Sequence, residues 1–243
     1  MLFLLGAVAW KLDESSQNMQ PTFTRINSPT SYNSQNSSES FPTTSSSPEA
    51  AADPSTPLGS AVLNDALVAY ANASKGGVSK DAGVAAVEDV VRTFSPQITY
   101  RNFTTSDIQT DQDTSAERAL SYRSDLQTAF APLLLNKEFE LTIFAHYVDS
   151  KDPGDLQKLR SAAVNYRSAI MNASKVIVPE DAAPAHVAVL NALGRFAATL
   201  DTMVDNAKDP VASVALLKTY TAAQEGVLAS FNSIGAYAAQ KTL

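Results

Sequence analysis

Residues 190–238 read LNALGRFAATLDTMVDNAKDPVASVALLKTYTAAQEGVLASFNSIGAYA, and two apolar stripes run through them. Leu190, Leu193, Ala197, Leu200 and Val204 recur at alternating three- and four-residue spacing. So do Leu217, Tyr220, Gln224, Val227, Phe231, Ile234 and Ala238. That spacing puts each set on one side of a helix turning once every 3.6 residues. Asp209-Pro210 stands between them: a side-chain oxygen that can cap a helix, then a proline in the first turn, where a missing N–H costs nothing. The stretch predicts two long amphipathic helices, near 183–206 and 210–240, with a short connection that makes them antiparallel neighbours.

The same signals continue upstream. Asp152-Pro153 repeats the cap-and-proline pair, and Thr114-Ser115-Ala116-Glu117 has the pattern of a capping box. Helices are expected near 60–74, 81–94, 114–131, 136–149 and 153–174, with Pro132 separating the third from the fourth. The fold class is therefore all-α, an antiparallel bundle of six to seven helices over residues 59–243. Residues 95–113 resist this pattern. They carry Pro96, Asn102, Thr104, Thr105, Asp107, Asp111 and Asp113 without helical period, and only 98–103 reads as extended. A connection this long is uncommon. It is expected to be a solvated loop pinned to the bundle by Tyr100 and Phe103, and as a binding loop it would use Tyr100, Arg101 and Phe103.

An internal repeat lies at an offset of one hundred residues. Asn72-Ala73-Ser74-Lys75 recurs as Asn172-Ala173-Ser174-Lys175, followed by Val78/Val178, Asp81/Asp181, Ala82/Ala182, Ala85/Ala185 and Val87/Val187. Each copy reads as a helix end, a valine plugging the turn, and an Asp or a neighbour capping the next helix. A duplication would make two related halves, roughly 59–149 and 152–241; convergent helix-turn chemistry is the alternative.

The other end of the chain is different in kind. Met1 to Trp10 is nearly all apolar, and Lys11 follows. Nine apolar residues are too few to span a bilayer, which takes roughly 20. Residues 1–12 are expected to be the second half of a membrane helix that starts further upstream, with Trp10 at the interface. A short signal peptide ending at Ala7-Val8-Ala9 and an ordinary buried terminus are the alternatives. Residues 13–58 read as a disordered linker. Of the 43 residues from Ser15 to Pro57, 31 are Ser, Thr, Pro, Asn or Gln, too few large apolar groups to offset the entropy of ordering. A flexible chain of that length spans roughly 35–40 Å.

Chemistry is sparse. The chain has no Cys, so thiolate metal sites, thiol nucleophiles and disulfides are excluded. Its 18 Lys and Arg against 25 Asp and Glu give a net charge of −7, which argues against nucleic acid as a partner. Neither His146 nor His186 has the Glu-x-x-His spacing of di-iron bundles, and both are expected at the margin of the core. Asp107, Asp111, Asp113 and Glu117 form an acidic cluster in which Asp111-x-Asp113-x-Ser115 begins like a calcium loop, but Ala116 and Tyr122 occupy positions an EF-hand needs as Gly and Glu. Asn36, Asn72, Asn102 and Asn172 begin Asn-x-Ser/Thr triplets, about as many as this composition produces by chance. No cofactor and no metal is expected. Asn191, Arg195, Asp201 and Gln224 are the polar residues beside apolar stripes that could line a pocket.

These parts predict a membrane-tethered helical interaction or scaffold module outside the cytoplasm, attached through its N-terminus and facing a protein or cell-envelope partner. A small-molecule-sensing bundle is the second reading, and an enzyme built around His186 or His146 the third.

Overall fold

The computed structural model describes residues 56–74 and 80–241. The apolar segment 1–12, nearly all of the 13–58 linker and Val78 of the first repeat copy lie outside the described residues. Seven α-helices occur among the described residues: α1 (Pro57–Ser74), α2 (Lys80–Thr93), α3 (Ala116–Ala129), α4 (Glu140–Ser150), α5 (Pro153–Ala173), α6 (Ala183–Asp205) and α7 (Pro210–Lys241). They form an antiparallel bundle. Helix α6 lies between α5 and α7, and the α1–α2 hairpin packs along α7.

Caps explain most of the boundaries. Asp152 accepts from the Gly154 N–H at 2.8 Å and starts α5. Asp209, 2% exposed, does more. Its Oδ1 accepts from the N–H groups of Val211 and Ala212 at 2.9 and 3.1 Å, capping α7. Its Oδ2 accepts from the Thr56 N–H and hydroxyl at 2.6 and 3.0 Å, and Thr56 Oγ1 in turn accepts from the Gly59 N–H at 3.1 Å. One carboxylate thus holds the starts of α7 and α1 together. Burial pushes this carboxyl's pKa up, but the donated hydrogen bonds outweigh burial and hold it below the usual range. Gly59 is required there, since a Cβ would collide with the Asp209 carboxylate.

Several boundaries differ from expectation for local reasons. Helix α1 begins at Pro57 rather than 60, because Thr56 caps it. Helix α3 is capped by Ser115, whose hydroxyl accepts from the Arg118 N–H at 3.2 Å, one residue later than the Thr114 box implied. Helix α4 starts at Glu140 rather than 136, because Ala131–Leu135, with Pro132 near its start, closes into a 3-10 turn first. Asp181 does not cap α6; it pairs with Lys241 at 2.7 Å and accepts from the Tyr237 hydroxyl at 2.9 Å. A 3-10 turn over Glu180–Ala182 leads into that helix instead.

The strand signal was misplaced. Residues 98–103 belong to no strand; β1 is Gln109–Asp111, paired in parallel with β2, Ile177–Pro179. Strand β2 lies inside the second repeat copy, and its Val178 is fully buried opposite Thr110. Both repeat copies fall where one helix of a packed pair leads to the next, α1 to α2 and α5 to α6.

The core is centred on α6. Leu190, Leu193, Ala197, Leu200 and Val204 are buried as the stripe requires, joined by Phe196 and Met203. The Phe196 ring packs between Tyr166 and Tyr220, with centroids 5.0 and 5.2 Å away. On α7 the stripe is shifted: Tyr220 and Val227 are buried, Leu217 is exposed, and Leu216, Ala212, Ala215 and Ala223 take the inward positions. Two neighbours cause this. With α6 on one side and the α1–α2 hairpin on another, small residues let both approach α7. Residues Glu180–Asp205 are long and apolar enough to cross a membrane by length and composition, yet this is the central helix of the bundle.

Candidate functional site

The irregular segment after α2 lies across α6, and the contacts there begin with one side chain. Asn191 Oδ1 accepts from the Phe103 N–H at 2.6 Å, and Asn191 Nδ2 donates to the Phe103 carbonyl at 2.9 Å. An amide that satisfies both backbone groups of one residue replaces the pairing a strand would provide, so the loop can cross a helix without orphaned polar groups. The Phe103 ring is buried beneath it. The Arg101 guanidinium lies over that ring, 4.3 Å from its centroid, and pairs with Asp107 at 3.2 Å. Asp107 also accepts from the N–H and hydroxyl of Thr104, both at 2.8 Å, closing a 3-10 turn over Thr105–Asp107. Those Thr104 bonds, more than Arg101, hold the Asp107 carboxyl below its usual range.

Tyr100 lies where α6 is narrowest. A Cβ added to Gly194 would stand 3.5 Å from the Tyr100 ring and 3.7 Å from the Arg101 carbonyl, so the ring rests on bare helix backbone. The loop is pinned as expected, with Phe103 as its buried anchor. Tyr100 is 37% exposed and the Arg101 side chain 68% exposed, both on a backbone held from below.

The four residues suggested as a pocket do not converge. Asn191 is the loop clamp. Arg195 is one turn further along the same face of α6, half-buried, with no hydrogen bond or ion pair from its side chain to any described residue. Asp201 pairs with Arg167 of α5. It lies ten residues from Asn191, about 15 Å along the helix. Gln224 is half-buried on α7. The structure therefore joins Asn191 to Phe103, places Arg195 one turn along the same helix face, and leaves Asp201 and Gln224 elsewhere. Two open clefts are lined by other residues. One, of about 420 Å³, lies between α1 and α2 beside Asp65, Val68 and Phe94. The other, of about 680 Å³, lies beside Arg118, Asp125, Lys175 and Ile177.

Neither histidine sits as expected. His186 is not at the margin but 1% exposed, with Nδ1 3.0 Å from the Tyr122 hydroxyl and Nε2 buried without a partner. Burial pushes its pKa down to about 4. His146 is on the surface, its side chain 63% exposed, and Nδ1 bonds the buried carboxylate of Asp155. Lys158 pairs with the same carboxylate at 3.2 Å and with Glu138 at 3.4 Å. The bond to Asp155 raises the His146 pKa and lowers that of Asp155. This network staples α4 to the first turn of α5, and no cleft opens beside it among those described above.

The acidic run is spent on neighbours. Asp111 pairs with Arg118 at 3.0 Å and accepts from the Asp113 N–H, also at 3.0 Å, while Asp113 accepts from the Ser115 N–H at 2.9 Å. Among the described residues no group of three or more His, Cys, Asp or Glu is arranged to hold a metal ion.

No known protein family matches this chain, no curated protein is recognisably similar in sequence, and no solved structure is recognisably similar in fold.

Proposed function

We propose that this protein is a membrane-tethered helical interaction module, working outside the cytoplasm and docking a partner protein through the loop that crosses α6. The observation that carries the reading is the two-bond clamp of Asn191 on Phe103. A loop already fixed in one shape loses little conformational entropy on binding. What it displays, a tyrosine and an arginine, are the residue types that dominate binding energy at protein interfaces. Inside the core the Tyr166 hydroxyl is bonded to Glu140, and the histidines belong to a buried pair with Tyr122 and a surface staple with Asp155, which favours docking over catalysis. The apolar residues Leu2 to Trp10 and the Ser/Thr/Pro-rich stretch behind them support the tether. A duplicated helical hairpin belongs to the same proposal, since both repeat copies join packed helices.

A photo-reactive amino acid placed at position 100 of the full-length chain, in its native membranes, tests the docking face. A discrete protein adduct is expected from position 100 and none from Val164, which is more open, on α5. Adducts from both positions alike, or from neither, would remove the loop as the docking surface.

A further inference from the structure

We propose that the face made by Tyr100, Arg101 and Arg195 docks an acidic segment of the partner, seating a partner carboxylate on Arg195. The proposal rests on the reading of this loop as the docking surface. Placement comes first. Arg195 shares a helix face with Asn191, which grips Phe103, and follows Gly194, on which Tyr100 and the Arg101 carbonyl rest. Arg195 therefore follows directly on the turn of α6 that the loop crosses.

Charge comes second. Helix α6 carries three charged side chains, Arg195, Asp201 and Asp205. Both acids are matched by arginines of α5, Asp201 by Arg167 and Asp205 by Arg160 at 2.8 Å. Arg195 is left over, half-buried and unpaired among the described residues. A guanidinium that has already lost part of its hydration gains most from a carboxylate, whose two oxygens match its fork of N–H donors.

The loop supplies the rest. Arg101 is held in place by its stacking on Phe103, and Tyr100, seated on Gly194, keeps part of its ring exposed. Arg101 is already matched by Asp107, so in a chain of net charge −7 Arg195 is the unmatched positive charge of this face, and an acidic segment repelled elsewhere is registered here.

The test titrates the full-length protein in detergent with short synthetic peptides that hold Asp or Glu beside an aromatic residue. The same peptides with Asn or Gln in place of the acid are run alongside. The acidic peptides should bind, and the amide versions should bind at least about tenfold more weakly. Arg195→Gln should weaken acidic binding by about tenfold and leave amide binding unchanged, and Arg195→Lys should restore only part of it. Because Arg195 holds no other group among the described residues, the thermal melt of both variants should match the wild type, which separates lost binding from lost folding. No binding of acidic peptides, or equal binding of acidic and amide peptides, overturns the proposal. So does Arg195-dependent binding of phosphatidylglycerol vesicles in place of peptides. The adduct from position 100 separates the two levels of the argument. If it forms in the wild type while the peptides show no acid preference, the acid chemistry alone is wrong; if it never forms, the docking face is wrong.

Discussion

Val178→Asp should cost the folded head roughly 4 kcal/mol, because it places a carboxylate where nothing can solvate it. Val178 is fully buried in the middle of β2 and paired with Thr110. Stability of a domain this size is about 5–15 kcal/mol, and each kcal/mol moves the melting temperature by about 2–4 °C, so the melt should fall by roughly 10 °C or folding should fail. Two neighbouring comparisons make the result specific. Val178→Ala should cost about 2 kcal/mol through the cavity it leaves. Ile177→Asp, at a position 49% exposed, should stay within about 0.5 kcal/mol of wild type. A Val178→Asp protein that melts like wild type would show that β2 is not packed as described.

Acid should weaken the head in a range where most carboxylates are still ionised. In the unfolded chain His186 takes up a proton near its ordinary value of 6.5, whereas in the folded state burial defers protonation to about 4. The unfolded state therefore binds more protons between those values. Stability from this residue is complete above pH 6.5, falls as pH drops through the window, and levels off below about 4, a loss of roughly 3 kcal/mol. The other shifted groups act elsewhere. His146, raised by Asp155, contributes stability that is complete below 6.5 and lost only as pH rises through its raised value. Asp155, Asp107 and Asp209, all lowered, surrender theirs only below the ordinary 3.8. Tyr122 faces His186 as a phenol pushed still higher by burial, so it stays neutral throughout. Denaturant melts at intervals from pH 7 to 4 should show the slope, and His186→Gln, which keeps a partner for Tyr122, should flatten it. An unchanged slope in that variant would assign the acid limb to other groups.

Much of the fold was legible because helix ends announce themselves locally. Asp152-Pro153 and Asp209-Pro210 placed two helix starts at the residue, and the 3-4 spacing on α6 named its buried face. Misreadings occurred where a distant partner decides. The strands are three residues each and pair across a separation no local window spans, so Val178 read only as a turn plug. Tyr100 and Phe103 were recognisable as loop anchors by their apolar bulk. Asn191 was visible as a polar residue beside an apolar stripe, but its partner is 88 residues away, so clamp and loop read as unrelated candidates. The pairing of exposed His146 with buried Asp155 was legible only once the α4–α5 corner brought them together.

Docking through this loop requires that the loop be fixed before a partner arrives. Amide hydrogen exchange at Phe103 measures that directly, because its N–H is held by Asn191 alone. Protection approaching that of the α6 core is expected, falling to the rate of an open loop in Asn191→Ala. A Phe103 amide that exchanges in the wild type as fast as the exposed amides beside it would contradict a preformed docking surface.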